Sequence, residues 1–547
     1  MGYQRFQETV HKAQRTAIYG GKIFGFAVLL QLFIFSFLFT KEMKVYPAFN
    51  VKILAKSYIK KDAELKKEQL SYLIKAYPIP LLISFSSYFV IFTLFYFFNK
   101  RKIKQEHRGT RLIELLELVK QLKRYKDKYL RIGGYDKSTH ILTHEDDICL
   151  KTNKKQELIY RKNFVEIPEK IEFTHFIVIG KSGSGKTSLI NPIVSQMIER
   201  SDRMIVHDYK GDFTKNFYSE HRDLIFNPTK PQKCVKWSVF NDIDSKEDIK
   251  SIANSLIPEP SKNEDPFWKT AAKDILIGCL ISLREFRKTT NQDIYNLVVS
   301  NNEEIEKVLQ SSQEASIYAH YFNKSNQKTL NSIMSIFRTY TSCFEYLKEI
   351  DGDFSIKEWV ATSSKNIYIQ NKENIKEAIA PALTLFIDTV SRELLSHDDR
   401  DFKTVFILDE FGRLNKMSSI LDLLTNGRSK GASVWILLQE FSQIDAKYGK
   451  DGRKTIVNTC SSQFYFAINE AESARELSEQ IGDAETINED ESIYHQTDDL
   501  NGFNVRKSLQ TKKVVLASEI LNLKEREFYM KLNGFNWCKN KVFIQKI

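Results

Sequence analysis

The sequence predicts an α/β protein in which a doubly wound α/β domain carries an inserted all-α domain and is preceded by two transmembrane helices. Three patterns lead to this fold class: two long apolar runs without a charge, a glycine-rich loop between a strand-like and a helical run, and a later alternation of strand-like and helical segments. The 547 residues are 42% apolar and 27% charged, which excludes a disordered chain. Six cysteines lie far apart without a C-x-x-C spacing or a Cys/His cluster, so neither a disulfide scaffold nor a zinc site is indicated.

Two apolar runs near the start of the chain are predicted to cross a membrane. Residues 23–40 contain no charged side chain over 18 positions, and residues 79–98 contain none over 20. Each run is long enough for a hydrocarbon layer of ~30 Å, and both are apolar on every face, which disfavours a buried core helix. A cleaved signal peptide is disfavoured because Lys41-Glu42-Met43-Lys44 follows the first run in place of a small-residue cleavage site.

The predicted topology places residues 1–22 and all residues after 98 in the cytoplasm, with an extracytoplasmic loop over residues 41–78. The basic stretch at residues 100–104 obeys the positive-inside rule. The loop weakens this argument, because it holds nine lysines of its own.

Residues 99–135 are predicted to form a basic amphipathic segment that leaves the membrane as a helix. Apolar side chains recur at helical spacing between Arg111 and Arg131, among many Lys and Arg. These apolar positions are Leu112, Leu115, Leu116, Val119 and Leu122. A solvated or lipid-headgroup-facing surface and a nucleic-acid contact both fit this pattern. The formal charge of +12 does not decide between them, since it fits a phosphate backbone and a membrane surface equally well.

A complete G-x-x-x-x-G-K-T motif, here called the P-loop, spans residues 180–187. A strand-like run at residues 176–179 precedes it and a helical pattern at residues 189–198 follows it, which is the order that a phosphate-binding loop requires. Glycines let backbone N–H groups approach a β-phosphate, and the helix N-terminus adds partial positive charge. The residues predicted to bind ATP are Gly180, Lys181, Ser182, Gly183, Ser184, Gly185, Lys186 and Thr187.

Two acids farther along the chain are predicted to complete the nucleotide site. Lys186 is expected to bridge the β- and γ-phosphates and Thr187 to bind Mg²⁺. The apolar run at residues 405–408 ends in Asp409, a second Mg²⁺ ligand, and Glu410, a general base for the attacking water. Taken alone, a strand that ends in two acids is weak support for a nucleotide site. It becomes strong support when the same chain also contains a P-loop. Because ATP is cytoplasmic, this site also places the main body of the chain in the cytoplasm.

Two further polar residues are candidates for phosphoryl transfer, each with an alternative. Gln439 follows the strand-like run at residues 432–438, where it would sense the γ-phosphate or be a satisfied strand-end amide. Arg428 follows a helical pattern and is too far along to reach its own site easily. It suits delivery to a neighbouring subunit as an arginine finger, or equally a surface salt bridge.

The remaining pattern divides the cytoplasmic part into three. Strand-like runs alternate with helical stretches in residues 136–243 and 347–547, which predicts a doubly wound sheet with its ligand at the carboxyl ends of the strands. The strand-like runs are 204–207, 366–369, 404–408, 433–438 and 463–468. Helical periodicity dominates residues 244–346, which predicts an all-α insertion too large to be only a lid.

With these residues in place, the chain resembles the coupling proteins of type IV secretion and conjugation, the TraD/TrwB-like family related to FtsK and HerA DNA translocases. The resemblance covers most of the chain and depends on the two apolar runs, the P-loop and several short motifs. These motifs are His107-Arg108-Gly109 opening the juxtamembrane helix, Asp208-Tyr209-Lys210-Gly211-Asp212, Phe267-Trp268-Lys269-Thr270-Ala271-Ala272, Phe354-Ser355-Ile356-Lys357-Glu358-Trp359, Asp409-Glu410-Phe411, Gly427-Arg428 and Gln439.

The resemblance implies a RecA-like P-loop ATPase, anchored in the bacterial inner membrane and assembled as a homohexamer. It implies catalytic roles for Lys186, Glu410, Arg428 from a neighbouring subunit and Gln439 as sensor, with ATP and Mg²⁺ as cofactors. The implied partners are single-stranded DNA bound to a relaxase, relaxosome proteins and the channel components of the secretion system. One departure is Lys181-Ser182, where many relatives carry two threonines.

An alternative from another class of protein is an ATP-binding membrane receptor that recruits protein effectors to the channel without pumping DNA. Such a receptor has no need of Glu410. The intact set of P-loop and acids therefore favours an ATPase, but it does not distinguish DNA cargo from protein cargo.

Overall fold

A computed structural model describes residues 108–122, 129–132, 165–260, 264–322, 326–371, 373–397, 403–494 and 502–542. The two predicted transmembrane segments, residues 23–40 and 79–98, and the loop between them lie outside the described residues. Within the described ranges, no helix has both the length and the apolar character needed to cross a bilayer.

A nine-stranded sheet forms the centre of the fold, in the order β14-β13-β10-β4-β9-β8-β5-β7-β6. The strands are β1 (Arg108–Gly109), β2 (Tyr129–Ile132), β3 (Val165–Pro168), β4 (Phe176–Ile179), β5 (Arg203–Asp208), β6 (Asp223–Phe226), β7 (Asn366–Gln370), β8 (Thr404–Leu408), β9 (Ala432–Leu438), β10 (Ser462–Phe466), β11 (Asp483–Tyr494), β12 (Gly502–Lys513), β13 (Glu527–Lys531) and β14 (Cys538–Lys541). Strands β10 to β6 run parallel, and β13 and β14 add an antiparallel end.

Helices connect the parallel strands and form a large helical part between β6 and β7. They are α1 (Leu115–Leu122), α2 (Glu169–Glu172), α3 (Lys186–Glu199), α4 (Asp212–Phe217), α5 (Lys246–Leu256), α6 (Pro266–Glu285), α7 (Asn291–Val299), α8 (Asn302–Ser311), α9 (Gln327–Thr341), α10 (Phe344–Leu347), α11 (Ile356–Thr362), α12 (Lys376–Ser396), α13 (Ile420–Asn426), α14 (Ser442–Thr459), α15 (Ala471–Ile481) and α16 (Ala517–Leu521). Short 3-10 turns cover Val239–Asp242, Ser316–Phe322, Lys348–Ile350, Glu373–Ile375, Phe411–Arg413 and Gly427–Lys430.

The central strands are buried on both faces, which explains their continuous apolar runs. In β4, Phe176 and Val178 face a core shared with Ile193 of α3, whereas Ile177 and Ile179 face a second core on the other side of the sheet. The alternation follows from the two-residue period of a strand. All five strand-like runs listed from the sequence, and the run before the P-loop, are confirmed as strands β4, β5, β7, β8, β9 and β10.

The helical part shares its core with the sheet. The described residues between α5 and α10 form helices and 3-10 turns without a strand. Leu256 of α5, Leu280 of α6 and Phe337 of α9 belong to the same buried cluster as Ile179 and Phe406 of the sheet. Helices α5 to α10 and this face of the sheet are therefore joined by one continuous core.

The segment after the second apolar run differs from the predicted helix. Helix α1 covers only Leu115–Leu122, whereas Arg108–Gly109 is strand β1, paired with β11, and Tyr129–Ile132 is strand β2, paired with β3. Leu118 and Leu122 are buried in the core formed with β3 and β14. The helical prediction over residues 111–131 was wrong at its ends, because apolar spacing does not reveal where the chain begins to pair with distant strands.

Candidate functional site

The P-loop is fixed at both sides by the strands next to β4. The Gly180 N–H donates to the carbonyl of Leu438 at 3.1 Å, and the Lys181 N–H donates to that of Ala467 at 2.7 Å. Gly183 and Gly185 have φ angles of 74° and 110°, in the left-handed region that favours glycine. Gly185 is the N-cap of α3, so the loop turns directly into the helix N-terminus.

Close packing limits what the first position of the P-loop can hold. A Cβ on Gly180 would lie 2.5 Å from Cβ of Phe466 and 2.7 Å from Oγ of Ser184. On the outer side of the loop, the backbone N–H of Arg526 donates to the Ser184 carbonyl at 2.8 Å. Arg526 has a φ of 67° and is one of five non-glycine residues with positive φ among those described.

Lys186 and Thr187 begin helix α3 at the end of the P-loop. The Lys186 ammonium is buried and donates to the Gly180 carbonyl and, at 3.2 Å, to the Lys181 carbonyl. Burial lowers the pKa of Lys186, while Glu410 and Asp409 oppose that shift. Thr187 is exposed, so its hydroxyl is open to a ligand at the mouth of the loop.

The two predicted acids lie at the carboxyl end of β8. One strand, β9, separates β8 from the P-loop strand β4. Burial raises the pKa of Asp409 to about 7, and the charges of Glu410 and Asp208 act in the same direction. Glu410 is only 3% exposed and has φ 48° and ψ 48°, an uncommon backbone conformation for a residue with a side chain. Backbone strain of this kind concentrates at functional sites.

Gln439 holds one oxygen of the predicted base. Its Nε2 donates to Oε1 of Glu410 at 2.6 Å, across the neighbouring strands β9 and β8. The other oxygen, Oε2 of Glu410, is buried and has no hydrogen-bond partner among the described residues. This geometry leaves one carboxylate oxygen with an unused acceptor position, as a base that orients a water molecule requires. The Gln439 amide at the end of β9 is therefore satisfied by the Glu410 carboxylate at the end of β8.

Two residues at the end of β5 support this edge of the sheet and had not been assigned a role from the sequence. Nδ1 of His207 lies 2.7 Å from the Asp409 carbonyl, so Nδ1 is the donor. Burial lowers the pKa of His207 to about 4, which keeps the ring neutral. Asp208 accepts from the Gly211 N–H at 2.9 Å and from the Thr214 N–H and hydroxyl at 2.7 Å each.

Arg428 lies at the opposite end of the strands, just before the amino end of β9. It is exposed on the 3-10 turn just before β9, whereas Gln439 directly follows β9. The seven residues of β9 separate the two ends by about 20 Å. Arg428 is therefore remote from the P-loop of its own chain, while the other predicted site residues converge on one edge.

The donor set at this edge fits a nucleotide with Mg²⁺. The P-loop presents backbone N–H groups and an ammonium to phosphates, and Thr187 and Asp409 supply the hard oxygen ligands that Mg²⁺ prefers. The buried carboxylate oxygen of Glu410 without a partner adds an acceptor for a water molecule. The fold brings the predicted site residues to the carboxyl ends of the strands, with the exception of Arg428.

A family model for the DNA-binding domain of type IV secretion-system coupling proteins matches residues 160–541, well over half of the chain. The chain belongs to this family of coupling proteins. Coupling protein TraD of Escherichia coli (strain K12) is 23% identical over 374 residues, which cover 66% of this chain and 51% of TraD. Protein VirD4 of Rhizobium rhizogenes is 21% identical over 354 residues, which cover 57% of this chain and 50% of VirD4. This coupling protein thus spans about half the length of the curated relatives it matches.

Solved structures of the plasmid coupling protein TrwB share the fold. The unbound TrwBdeltaN70 structure has a TM-score of 0.66 at 23% identity and covers 80% of this chain and 93% of its own. TrwB with the ATP analogue ADPNP has a TM-score of 0.65 at 23% identity, with coverages of 80% and 94%. TrwB with ADP and Mg²⁺ also has a TM-score of 0.65, at 22% identity, with coverages of 81% and 96%.

Proposed function

We propose that this coupling protein is a membrane-anchored ATPase that drives single-stranded DNA, carried with its bound relaxase, into a type IV secretion or conjugation channel. The observation that carries the proposal is the Glu410 carboxylate, buried beside the P-loop edge with one oxygen held by Gln439 and the other without a described partner. A protein that only binds nucleotide has no need of an oriented base.

The residues divide the work of hydrolysis among them. The P-loop N–H groups and Lys186 bind the phosphates of ATP, and Thr187 and Asp409 hold Mg²⁺, which neutralises the charge on the β- and γ-phosphates. Glu410 accepts a proton from the attacking water, and Gln439 keeps its carboxylate oriented. TrwB, whose fold this chain shares, has been crystallised with ADPNP and with ADP and Mg²⁺, which supports the same ligands here.

The proposed assembly is a homohexamer in the bacterial inner membrane. Residues 23–40 and 79–98 supply the anchor, and the main body lies in the cytoplasm, where ATP is found. Arg428, remote from its own P-loop, reaches the site of the next subunit as an arginine finger. Relaxosome proteins deliver the cargo, and inner-membrane channel components receive it.

The test uses the full chain purified in detergent. We expect ATP hydrolysis that single-stranded DNA stimulates, and we expect Lys186→Ala and Glu410→Gln each to abolish it. Glu472→Gln is the matched control, because Glu472 is an exposed acid on α15 whose ion pair, in the part of the chain that the structure describes, is with the exposed Lys450. Nucleotide binding without hydrolysis, with or without DNA, would instead indicate a receptor for protein effectors.

A further inference from the structure

A second cavity lies at the same edge of the sheet, on the far side of Glu410 from the P-loop. Its volume is about 250 Å³, and it opens between the ends of β5, β7 and β8 and the helices α12 and α14. Tyr209, Asn371, Lys376, Arg413, Asn415 and Lys447 line it. Strand β9 separates β8, whose end forms one wall of the cavity, from the P-loop strand β4. None of the residues assigned to the nucleotide site lines the cavity.

The cavity carries a surplus of positive charge. Three cations line it, Lys376, Arg413 and Lys447, against the single acid Glu377, which gives 3 − 1 = +2. Burial lowers the pKa of Lys447 to about 8, and the charge of Arg413 lowers it further in the same direction. An anion between these cations would relieve their mutual repulsion.

The polar groups around the cavity suit a phosphate. Lys376 is the first residue of the 21-residue helix α12, directly after the 3-10 turn Glu373–Ile375, so it lies near the positive end of the helix dipole. The Arg413 guanidinium lies 5.8 Å over the centroid of the Tyr209 ring. This contact holds the guanidinium, a forked hydrogen-bond donor, at the rim of the cavity. An aromatic ring beside an arginine is also a surface on which a nucleic-acid base stacks.

One wall of the cavity is continuous with the segment that carries the proposed base. The Arg413 N–H donates to the Glu410 carbonyl at 2.7 Å, and the Lys447 ammonium donates to the Leu414 carbonyl. Gln443 packs against Gly412 of this wall and accepts from the Gln439 N–H at 3.3 Å. A ligand held by Arg413 and Lys447 therefore restrains the turn that sets the position of Glu410.

We propose that this cavity binds a backbone phosphate of single-stranded nucleic acid and that its occupation couples cargo to hydrolysis at Glu410. This inference rests on the proposed function, since it names the place where the cargo strand contacts the ATPase. A free phosphate offers the same chemistry without the strand, and the two sources are separated by the test below.

The test measures binding of a labelled oligo-dT strand to the full chain in detergent at several salt concentrations. We expect Arg413→Gln and Lys376→Gln each to weaken binding about threefold to tenfold and to reduce the slope of log affinity against log salt by ~0.7 per lost phosphate contact. Arg413→Lys, which keeps the charge but not the forked donor, is expected to recover part of the affinity. Lys307→Gln, the same charge change on an exposed position of α8, is the control and should match the wild type.

The double variant decides the inference. Loss of oligo-dT stimulation of ATP hydrolysis in Arg413→Gln with Lys376→Gln supports it, as does competition by inorganic phosphate that the double variant no longer shows. An unchanged affinity and salt slope in the double variant overturns it, while DNA-stimulated hydrolysis by the wild type leaves the proposed function standing. Phosphate binding at this site with unaltered strand binding shows a free-phosphate site and also overturns it. If the wild type binds no strand at any salt concentration, the DNA part of the proposed function fails as well.

Discussion

Gln439 donates a hydrogen bond of 2.6 Å from Nε2 to Oε1 of Glu410. The two residues follow adjacent parallel strands, β9 and β8, so the contact is set by the register of the sheet rather than by a loop. Because the other carboxylate oxygen has no partner among the described residues, the amide leaves Oε2 as the oxygen available to a water molecule in the proposed hydrolysis.

Replacing Gln439 by Leu should slow hydrolysis. A hydrogen bond to a charged group is worth ~1.5–3 kcal/mol, so loss of the donor is expected to reduce the rate about 10- to 100-fold. The measurement is single-turnover hydrolysis at saturating ATP and Mg²⁺, which separates the catalytic step from binding. Gln310→Leu, the same substitution on an exposed position of α8, is the control. A Gln439→Leu enzyme with the wild-type rate would show that Glu410 needs no orienting partner.

Mixing two inactive variants should restore activity if Arg428 acts on a neighbouring subunit. Arg428→Ala keeps a complete P-loop site but supplies no finger, whereas Glu410→Gln supplies the finger but has no base. A mixed ring contains interfaces that join the intact halves, so hydrolysis in the mixture should exceed the rate of either variant at least severalfold. Subunit exchange followed by an ATPase assay tests this. Activity that equals the mean of the two separate variants contradicts delivery in trans.

His175→Asn should reduce the loss of stability at acid pH. Burial lowers the pKa of His175 to about 4, with Arg428 contributing, and the ordinary value is 6.5. The folded state therefore resists protonation, so the free energy of unfolding is largest above pH 6.5 and falls as the pH drops toward 4. Asn keeps an acceptor for the Val434 N–H, which donates to Nδ1 of the histidine at 3.1 Å, and it tolerates the φ of 55°.

The difference in Tm between pH 7.5 and pH 5 measures this effect. We expect it to shrink in His175→Asn, because one of the groups that protonate on unfolding has been removed. An identical Tm difference in the variant and the wild type would show that His175 does not contribute to acid sensitivity.

Two glycines of the P-loop should respond differently to alanine. A Cβ at Gly180 meets Phe466 of β10 at 2.5 Å, and that side chain is fully buried and cannot move aside easily. A Cβ at Gly183 meets nothing within 4 Å, so only its φ of 74° is unfavourable, at ~1–2 kcal/mol. We expect Gly180→Ala to weaken ATP binding more than tenfold beyond Gly183→Ala. Titration with a fluorescent ATP analogue checks the order, and the reverse order would contradict the described loop.

The central strands were predictable because parallel strands buried on both faces give unbroken apolar runs. Strand β14, at one edge of the central sheet, and strands β11 and β12 of the smaller sheet gave no such signal. Strand β14 reads Cys-Lys-Asn-Lys, and β11 and β12 are rich in charged side chains. These strands form because a partner is present, which a local pattern does not record. Helix α1 was found, but its apolar side packs on β3 and β14, contacts that spacing alone does not specify.

Within the candidate site, too, local motifs were predictable from the sequence, whereas contacts between distant strands were not. The P-loop, Asp409 and Glu410 were predictable because each is a local motif at a strand end. The contact of Gln439 with Glu410 requires β9 beside β8, and that of His207 with Asp409 requires β5 beside β8, so both depend on strand order. His207 carried no signal in the sequence beyond its position near the end of an apolar run.

The role of Glu410 as the base is tested most directly by the single-turnover rate of ATP hydrolysis by the full chain in detergent with single-stranded DNA, compared between the wild type and Glu410→Gln. We predict that DNA accelerates the wild type and that the variant binds ATP but hydrolyses it at least about 100-fold more slowly, as expected for loss of a general base. A Glu410→Gln rate equal to that of the wild type would contradict the assignment of Glu410 as the base on which the proposed function depends.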